Sequence, residues 1–467
     1  MRLLHELAKI HATFDDPHLV SHAGLVPVMA LAQRAGLGGL AAEHVRIARP
    51  CGVNAPVKIA CLAAGMAAGA DSIDDMDVLR HGAMPMLFGD IRAPSTLGSF
   101  LRAFTRGNVL QLQKVHRLVL AELACRAPLL PGADVLAFVD VDSQQKRVYG
   151  HAKQGAAFGH TKIAGKGPLV RGLNVLAGTI CTPLAAPVIA ATRLRGGNAH
   201  SARGAPSLIS EAVATARAAG CTGTLVVRMD SAFYGSPAVR AARSAGACFS
   251  VTVRTDPKIR AAIAAIPDDA WIPIRYPRAI WDDQLGRWVS DAQIAEVPYT
   301  AFTSRKGQQI TARLIVRRIK DLNRQAAPGQ GELFTAWRHH AVFTDSPFTL
   351  VQAEEQHRGH AQAEQVFADW TDGPLAHLPS GCFPANAAWL ALAAISCNLL
   401  RAAGALASLA YAKARGATIR RDLIGVAART ARHGRGHLTL HLPEGWYRER
   451  EWMNLLEAAC GPPAAAA

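Results

Sequence analysis

Two short stretches constrain this chain more than any others: VLAFVDVDSQQKRVYGH at 135–151 and GTLVVRMDSAFYG at 223–235. Each is an apolar run of strand character that ends in a carboxylate followed by serine, Asp142 before Ser143 and Asp230 before Ser231. Alternate side chains of a strand share a face, so Leu136, Phe138, Asp140 and Asp142 point the same way. Two carboxylates then arrive together at the end of a buried strand, which costs free energy unless a cation or polar partner receives them.

Strand-end acids in one sheet can converge, and a third acid is needed to hold divalent metal firmly. The helical candidate downstream is Glu364 in EEQHRGHAQAEQVFADW. Three convergent carboxylates are the hard-oxygen set that Mg²⁺ prefers, with Mn²⁺ as a substitute. Two such ions, about 3.5–4 Å apart, can activate the attacking oxygen and stabilise the leaving one at a phosphodiester. A formal net charge of +16 points to a polyanionic partner, nucleic acid above all, the bland alternative being a compositional bias toward Arg and Ala.

At 467 residues the chain exceeds what one core usually organises, so two or three units are expected. Residues 1–130 read as helical and suited to DNA binding, although no clean helix-turn-helix pattern stands out; in PSTLGSFLRAFTRG, Ser95 is the expected N-cap. From 131 to 255, strands VLAFVDVD, KRVYGH, LVRGLNVLAGTIC, PVIAATRLR, GTLVVRMD and CFSVTVR interleave with helices, an α/β layout. Residues 256–345 read as an inserted β-rich unit, 346–415 return to helix, and 416–467 form a basic tail. The run AAWLALAAISCNLL is short for a membrane span and ends at Arg401, so it reads as a buried core helix. Nine scattered cysteines without a CxxC pair suggest neither a disulfide framework nor a zinc ribbon. With no secretory pattern at the N-terminus, a cytoplasmic, nucleoid-associated location is expected.

The stretches VDVDSQQKRVYGHAKQGAAFGHTK, VRMDSAFYG and HRGHAQAEQVFADW, in that order, resemble the three catalytic blocks of DDE transposases of bacterial insertion sequences, the branch being insertion-sequence family 1380. The resemblance runs over nearly the whole chain. It implies an RNase H-like mixed sheet with flanking helices, interrupted by a β-rich insertion, plus a helical N-terminal domain. It also implies metal-dependent cleavage at the ends of a DNA element and strand transfer into target DNA. Asp142, Asp230 and Glu364 take the catalytic and metal-binding positions, with two Mg²⁺ ions; Asp140 is left as a structural or spare ligand. The partners implied are double-stranded DNA and, in the DNA complex, a second copy of the chain, with no membrane and no small-molecule substrate. The wider clan flanks its Glu with a Tyr seven before, an Arg four before and a Lys seven after; this chain has His357, His360 and Thr371 there, with Arg358 as a neighbouring cation.

Tyr234, His357, Arg358 and His360 are accordingly expected to contact DNA. The spacing of His357, His360 and Glu364 on one helix face would also suit zinc, a reading disfavoured because no further His or Cys cluster accompanies it. In GHAKQGAAFGHTKIAGKGPLVRG, Lys153, Lys162, Lys166 and Arg171 stand among glycines as expected phosphate contacts, and no dinucleotide or Walker pattern fits. Trp281, Trp288 and Trp337 are candidates to stack on an unpaired base, with core packing the commoner role. The tail arginines Arg420, Arg421, Arg429, Arg432 and Arg435 suit DNA binding, support of a dimer or a solvated helix face. A copy that binds DNA without cutting it is the main competing function, and a general nuclease without strand transfer a weaker one.

Overall fold

The run that begins at Leu136 continues past both carboxylates: strand β1 spans Leu136–Arg147, so Asp142 lies inside a strand and the expected break before KRVYGH is absent. Pairing explains the extra length. β2, Leu169–Cys181, runs antiparallel beside β1 from Phe138 opposite Cys181 to Arg147 opposite Gly172. The buried Gln145 amide adds bonds to the Ala157 and Val170 carbonyls at 3.3 and 3.2 Å. This computed structural model describes the chain apart from residues 2, 161–167, 278, 305, 321–336 and 462–467, and apart from the side chains of residues 287, 362 and 435.

β3, Val188–Gly196, pairs antiparallel with the far edge of β2. On the other side of β1 lie β4, Thr224–Met229, and β5, Cys248–Val253, both parallel to it. The order is therefore β3-β2-β1-β4-β5, with β2 alone reversed. β4 is buried along nearly its whole length, which is why TLVVRM reads as a continuous apolar run.

The β-rich region does not stand apart from this sheet. β6, Ala292–Ala301, β7, Ile310–Lys320, and β8, Trp337–Thr344, form antiparallel pairs, and β8 joins β5 with Phe343 opposite Val251. The result is one mixed ten-stranded sheet among the described residues. A helix, Pro257–Ala264, opens the same region; Asp256 caps it by accepting from the Ile259 amide at 2.9 Å, with proline at the first helical position.

In the helical region, α1 spans Pro94–Arg102 and α2 spans Arg106–Arg126. Ala93, not Ser95, is the N-cap of α1, because Pro94 takes the first helical position and pushes Ser95 inside. α3, Ala205–Ala218, covers the sheet over β1, β2 and β3. α4, Leu350–Arg358, and α5, Gln362–Thr371, are separated by a single 3₁₀ turn at Gly359–Ala361. α6, Phe383–Ala407, contains the apolar run and packs against α2, β3 and the C-terminal helix α7, Glu449–Cys460. Its length and composition would suit a membrane span, but 78% of its apolar window is buried in the protein, as expected of a core helix.

Leu390, Leu392, Ile395 and Leu399 are fully buried on α6, each contributing roughly 1.5–3 kcal/mol through apolar area removed from water. Asn398 fixes the contact with β3 by bonding both the amide and the carbonyl of Ile189, at 2.8 and 2.9 Å, and reaching His116 at 3.2 Å. Burial holds the His116 ring down at about 3, so it stays neutral.

The basic tail folds back onto the beginning of the chain. Ala428–Arg432 pairs with Leu19–Val20 and with Leu438–His441, and α7 packs on Leu25–Arg34. Gly24 allows the approach, since a Cβ there would stand 1.8 Å from the Leu423 carbonyl oxygen. Several tail arginines are thereby occupied: Arg429 with Asp16 at 3.3 Å, Arg421 with the buried Asp422 at 2.6 Å, and Arg420 with the Asp372 carbonyl at 3.1 Å.

Candidate active site

On β1 and β4, Asp140 stands beside Arg228 and Val141 beside Met229. The next residues are Asp142, still within β1, and Asp230, which follows the last residue of β4 and caps a 3₁₀ turn at Ser231–Phe233; the two strands lie about 4.8 Å apart. Local bonds orient both: Asp142 accepts from the Ser143 amide at 2.6 Å and Asp230 from the Ala232 amide at 2.9 Å. Glu364 lies exposed in the first turn of α5. Burial pushes the Asp142 carboxyl up to about 6; the charges of Asp230 and Glu364 add to this, while His360 and the Ser143 amide oppose it. The three acids therefore share one field. Among the described residues none of the three is in an ion pair.

Asp140 differs in every respect. It is fully buried, and Arg228 grips it with two bonds of 2.6 Å. His360 adds a third contact at 3.0 Å. Although burial opposes its charge, Arg228 and His360 outweigh that and hold its carboxyl at about 2. The cation for this strand carboxylate is thus a protein guanidinium. Arg228 also donates to the Gln356 carbonyl at 2.6 Å, which ties the last turn of α4 to the sheet. Gly359 lies against that guanidinium, and a Cβ there would stand 2.6 Å from Arg228 Nη1. Neither Arg228 nor Gly359 was expected to matter. The available signal was a charged residue inside an apolar strand, which calls for a buried partner.

Several of the residues expected to contact DNA hold bonds or packing contacts within the protein. Both ring nitrogens of His357 are taken, by Ser250 Oγ at 2.8 Å and Thr252 Oγ1 at 2.9 Å, and burial pushes its ring down to about 3. It is a neutral bracket between α4 and β5. Tyr234 packs on Phe302 and Phe343, with ring centroids 5.0 and 6.4 Å away, and burial raises its phenol pKa. Arg358 bonds Glu354 at 2.9 Å and lines a cleft of about 650 Å³ with Tyr276 and Trp288. Lys153 donates to the Leu378 carbonyl, and Arg171 bonds the Gly150 and His151 carbonyls at 2.8 and 3.1 Å, so both fix the loop after β1. Lys162 and Lys166 lie outside the described residues.

The 3₁₀ turn at Gly359 breaks the single helix face expected for His357, His360 and Glu364. Among the described residues no three His, Cys, Asp or Glu side chains stand close enough to hold one metal ion together, zinc included. The donor chemistry of Asp142, Asp230 and Glu364 nevertheless fits a hard divalent cation, because three carboxylates share one field and none is in an ion pair among the described residues, His360 answering Asp142 only through space.

A family model described as transposase DDE domain, group 1, matches residues 4–459. No curated protein matches the chain. Among solved structures, the chain is similar to a piggyBac transposase synaptic complex with hairpin DNA determined by cryo-EM. The similarity is 12% identity and a TM-score of 0.39 over 85% of this chain and 78% of that one.

Proposed function

This chain belongs to the transposase DDE domain family, group 1, and from that membership we propose that it cuts DNA at the ends of an insertion sequence and joins them to target DNA. The observation that carries the reading is the division among its acids. Asp140 is neutralised in direct contact by Arg228 and His360, whereas among the described residues Asp142, Asp230 and Glu364 share a field with no cation paired directly to any of them, His360 acting on Asp142 only through space.

Asp142 and Asp230 would hold Mg²⁺ or Mn²⁺ from the sheet, and Glu364 would complete the set from α5. Bound there, divalent metal supplies the Lewis-acid charge that phosphodiester displacement by water or a 3′-hydroxyl requires. The chain's own residues orient the set. The Ser143 and Ala232 amides fix the two aspartates, and the Asp140–Arg228 pair anchors the end of α4 just before the Glu364 helix. An RNase H-like core is supported by the order β3-β2-β1-β4-β5 with β2 reversed. Membership of insertion-sequence family 1380 rests on the three sequence blocks, and a homodimer on DNA follows from the need to hold two ends together.

A second reading is a copy that binds DNA and no longer cuts. It draws on the exposed position of Glu364 and the absence of a ready three-acid metal cluster among the described residues. Incubating a labelled duplex that carries the element's end with Mg²⁺, Mn²⁺ or EDTA separates the two. Cutting that requires metal and disappears in Asp142→Ala, Asp230→Ala and Glu364→Ala supports the first; tight binding without cutting under any metal supports the second.

A further inference from the structure

A cleft of about 770 Å³ lies beyond the far end of β1, between the start of α1, the strand end at Lys146–Tyr149 and the loop at Ala376–Pro379. Its cations are Arg102, Lys146, Arg147 and Lys153, against one lining carboxylate, Asp74. Lys153 is spent on the Leu378 carbonyl, and the lining His377 is bonded to Asp71 at 3.0 Å. Arg102 keeps one bond, to Ser99 at 3.1 Å. The side chains of Lys146 and Arg147 make no hydrogen bond or ion pair among the described residues. Lys146 feels Asp71 and Asp372 only through space, and its ammonium is partly desolvated. Arg147 lies over the ring of Tyr149, 5.0 Å from the centroid, and Tyr149 is 68% exposed. A partly desolvated ammonium at Lys146 beside the exposed Arg147 guanidinium, neither in an ion pair, fits a polyanion that supplies the missing contacts.

Strand β1 links the cleft to the carboxylates. Asp142, Gln144 and Lys146 alternate onto one face of β1, so the strand leads from the acid to the ammonium over about 13 Å, four residues of rise. A duplex lying along it advances about 3.4 Å per step, or about four nucleotides. We propose that Arg102, Lys146, Arg147 and Tyr149 form a backbone track that holds the phosphates of DNA about four nucleotides from the one cut at Asp142. The proposal rests on the transposase reading and adds where the flanking DNA lies.

The test is fluorescence anisotropy of the full chain with a duplex of about 30 base pairs, between about 50 and 200 mM KCl. Lys146→Met, which keeps most of the apolar stem, and Arg147→Ala should each weaken binding and reduce the slope of log affinity against log salt by about 0.9, with Lys146→Arg restoring it. Arg450→Ala on α7, outside the cleft, should leave the slope unchanged, and thermal melting checks folding of every variant. Slopes for Lys146→Met and Arg147→Ala that match wild type would overturn the proposal, as would tighter binding of single-stranded RNA that depends on the same two residues. The two readings fail separately. If wild type cuts DNA while the cleft variants keep its slope, the track is wrong; if the variants lose slope while no protein cuts, the track stands and the catalytic reading falls.

Discussion

Asp140 and Asp142 stand two residues apart on one face of one strand, about 6.6 Å along it, yet they sit in opposite electrostatic regions. Around Asp140 every charge is answered: Arg228 and His360 fill its oxygens, and Arg228 in turn holds the Gln356 carbonyl. Around Asp142 carboxylates accumulate without a guanidinium among them, and burial together with Asp230 and Glu364 raises its pKa. Position along a strand therefore does not decide what a carboxylate does. The residue across the ladder does: Arg228 stands beside Asp140, while an acid, Asp230, comes just past the end of β4 after the Val141–Met229 pair.

The largest effect that would break this contrast lies on the closed side. Arg228→Ala leaves the buried Asp140 carboxylate with His360 alone and should destabilise the fold by about 3–5 kcal/mol, read from chemical denaturation at neutral pH. Little change in the denaturation midpoint would show that the pair is not the strut described.

The open side should respond with the opposite sign. Raising a carboxyl to about 6 in the folded protein means that its protonated form is favoured there. Its contribution to stability is complete below the unfolded value near 4 and is lost as pH rises through 6. In metal-free buffer at pH 7, Asp142→Asn should therefore stabilise the protein, by up to about 3 kcal/mol, while abolishing cleavage. The gain should vanish below about pH 4. A variant that is less stable than wild type at pH 7 would remove the electrostatic distinction between the two acids.

A smaller effect sharpens the link between the regions. Gly359→Ala places a Cβ against the pinned Arg228 guanidinium and should cost about 1–3 kcal/mol through overpacking. Because Gly359 joins α4 to the turn that leads to Glu364, cleavage at limiting metal should fall more than DNA affinity does. Equal losses in both would indicate general unfolding.

Much of the open side was legible in the sequence, because an apolar run that ends in Asp-Ser twice, followed by a helical Glu, is a local pattern. Asp142 follows Val141 in β1 and Asp230 follows Met229 at the end of β4, one residue past the last pair of the two strands. The closed side was not legible, since it depends on register across the sheet: nothing local pairs Asp140 with Arg228, 88 positions away, or sets His357 between Ser250 and Thr252. The same limit explains the strand that runs on to Arg147, the β-rich region that joins β5, and the tail that returns to Leu19–Val20. Each is a long-range pairing that the composition of its own segment does not encode.

Mn²⁺ binding, followed by electron paramagnetic resonance of the metal on wild type, Asp140→Asn and Asp142→Asn at a temperature where all three are folded, tests the division of labour most directly. The account predicts that Asp142→Asn abolishes binding while Asp140→Asn retains it despite lower stability. Binding that survives in Asp142→Asn and disappears in Asp140→Asn would contradict it.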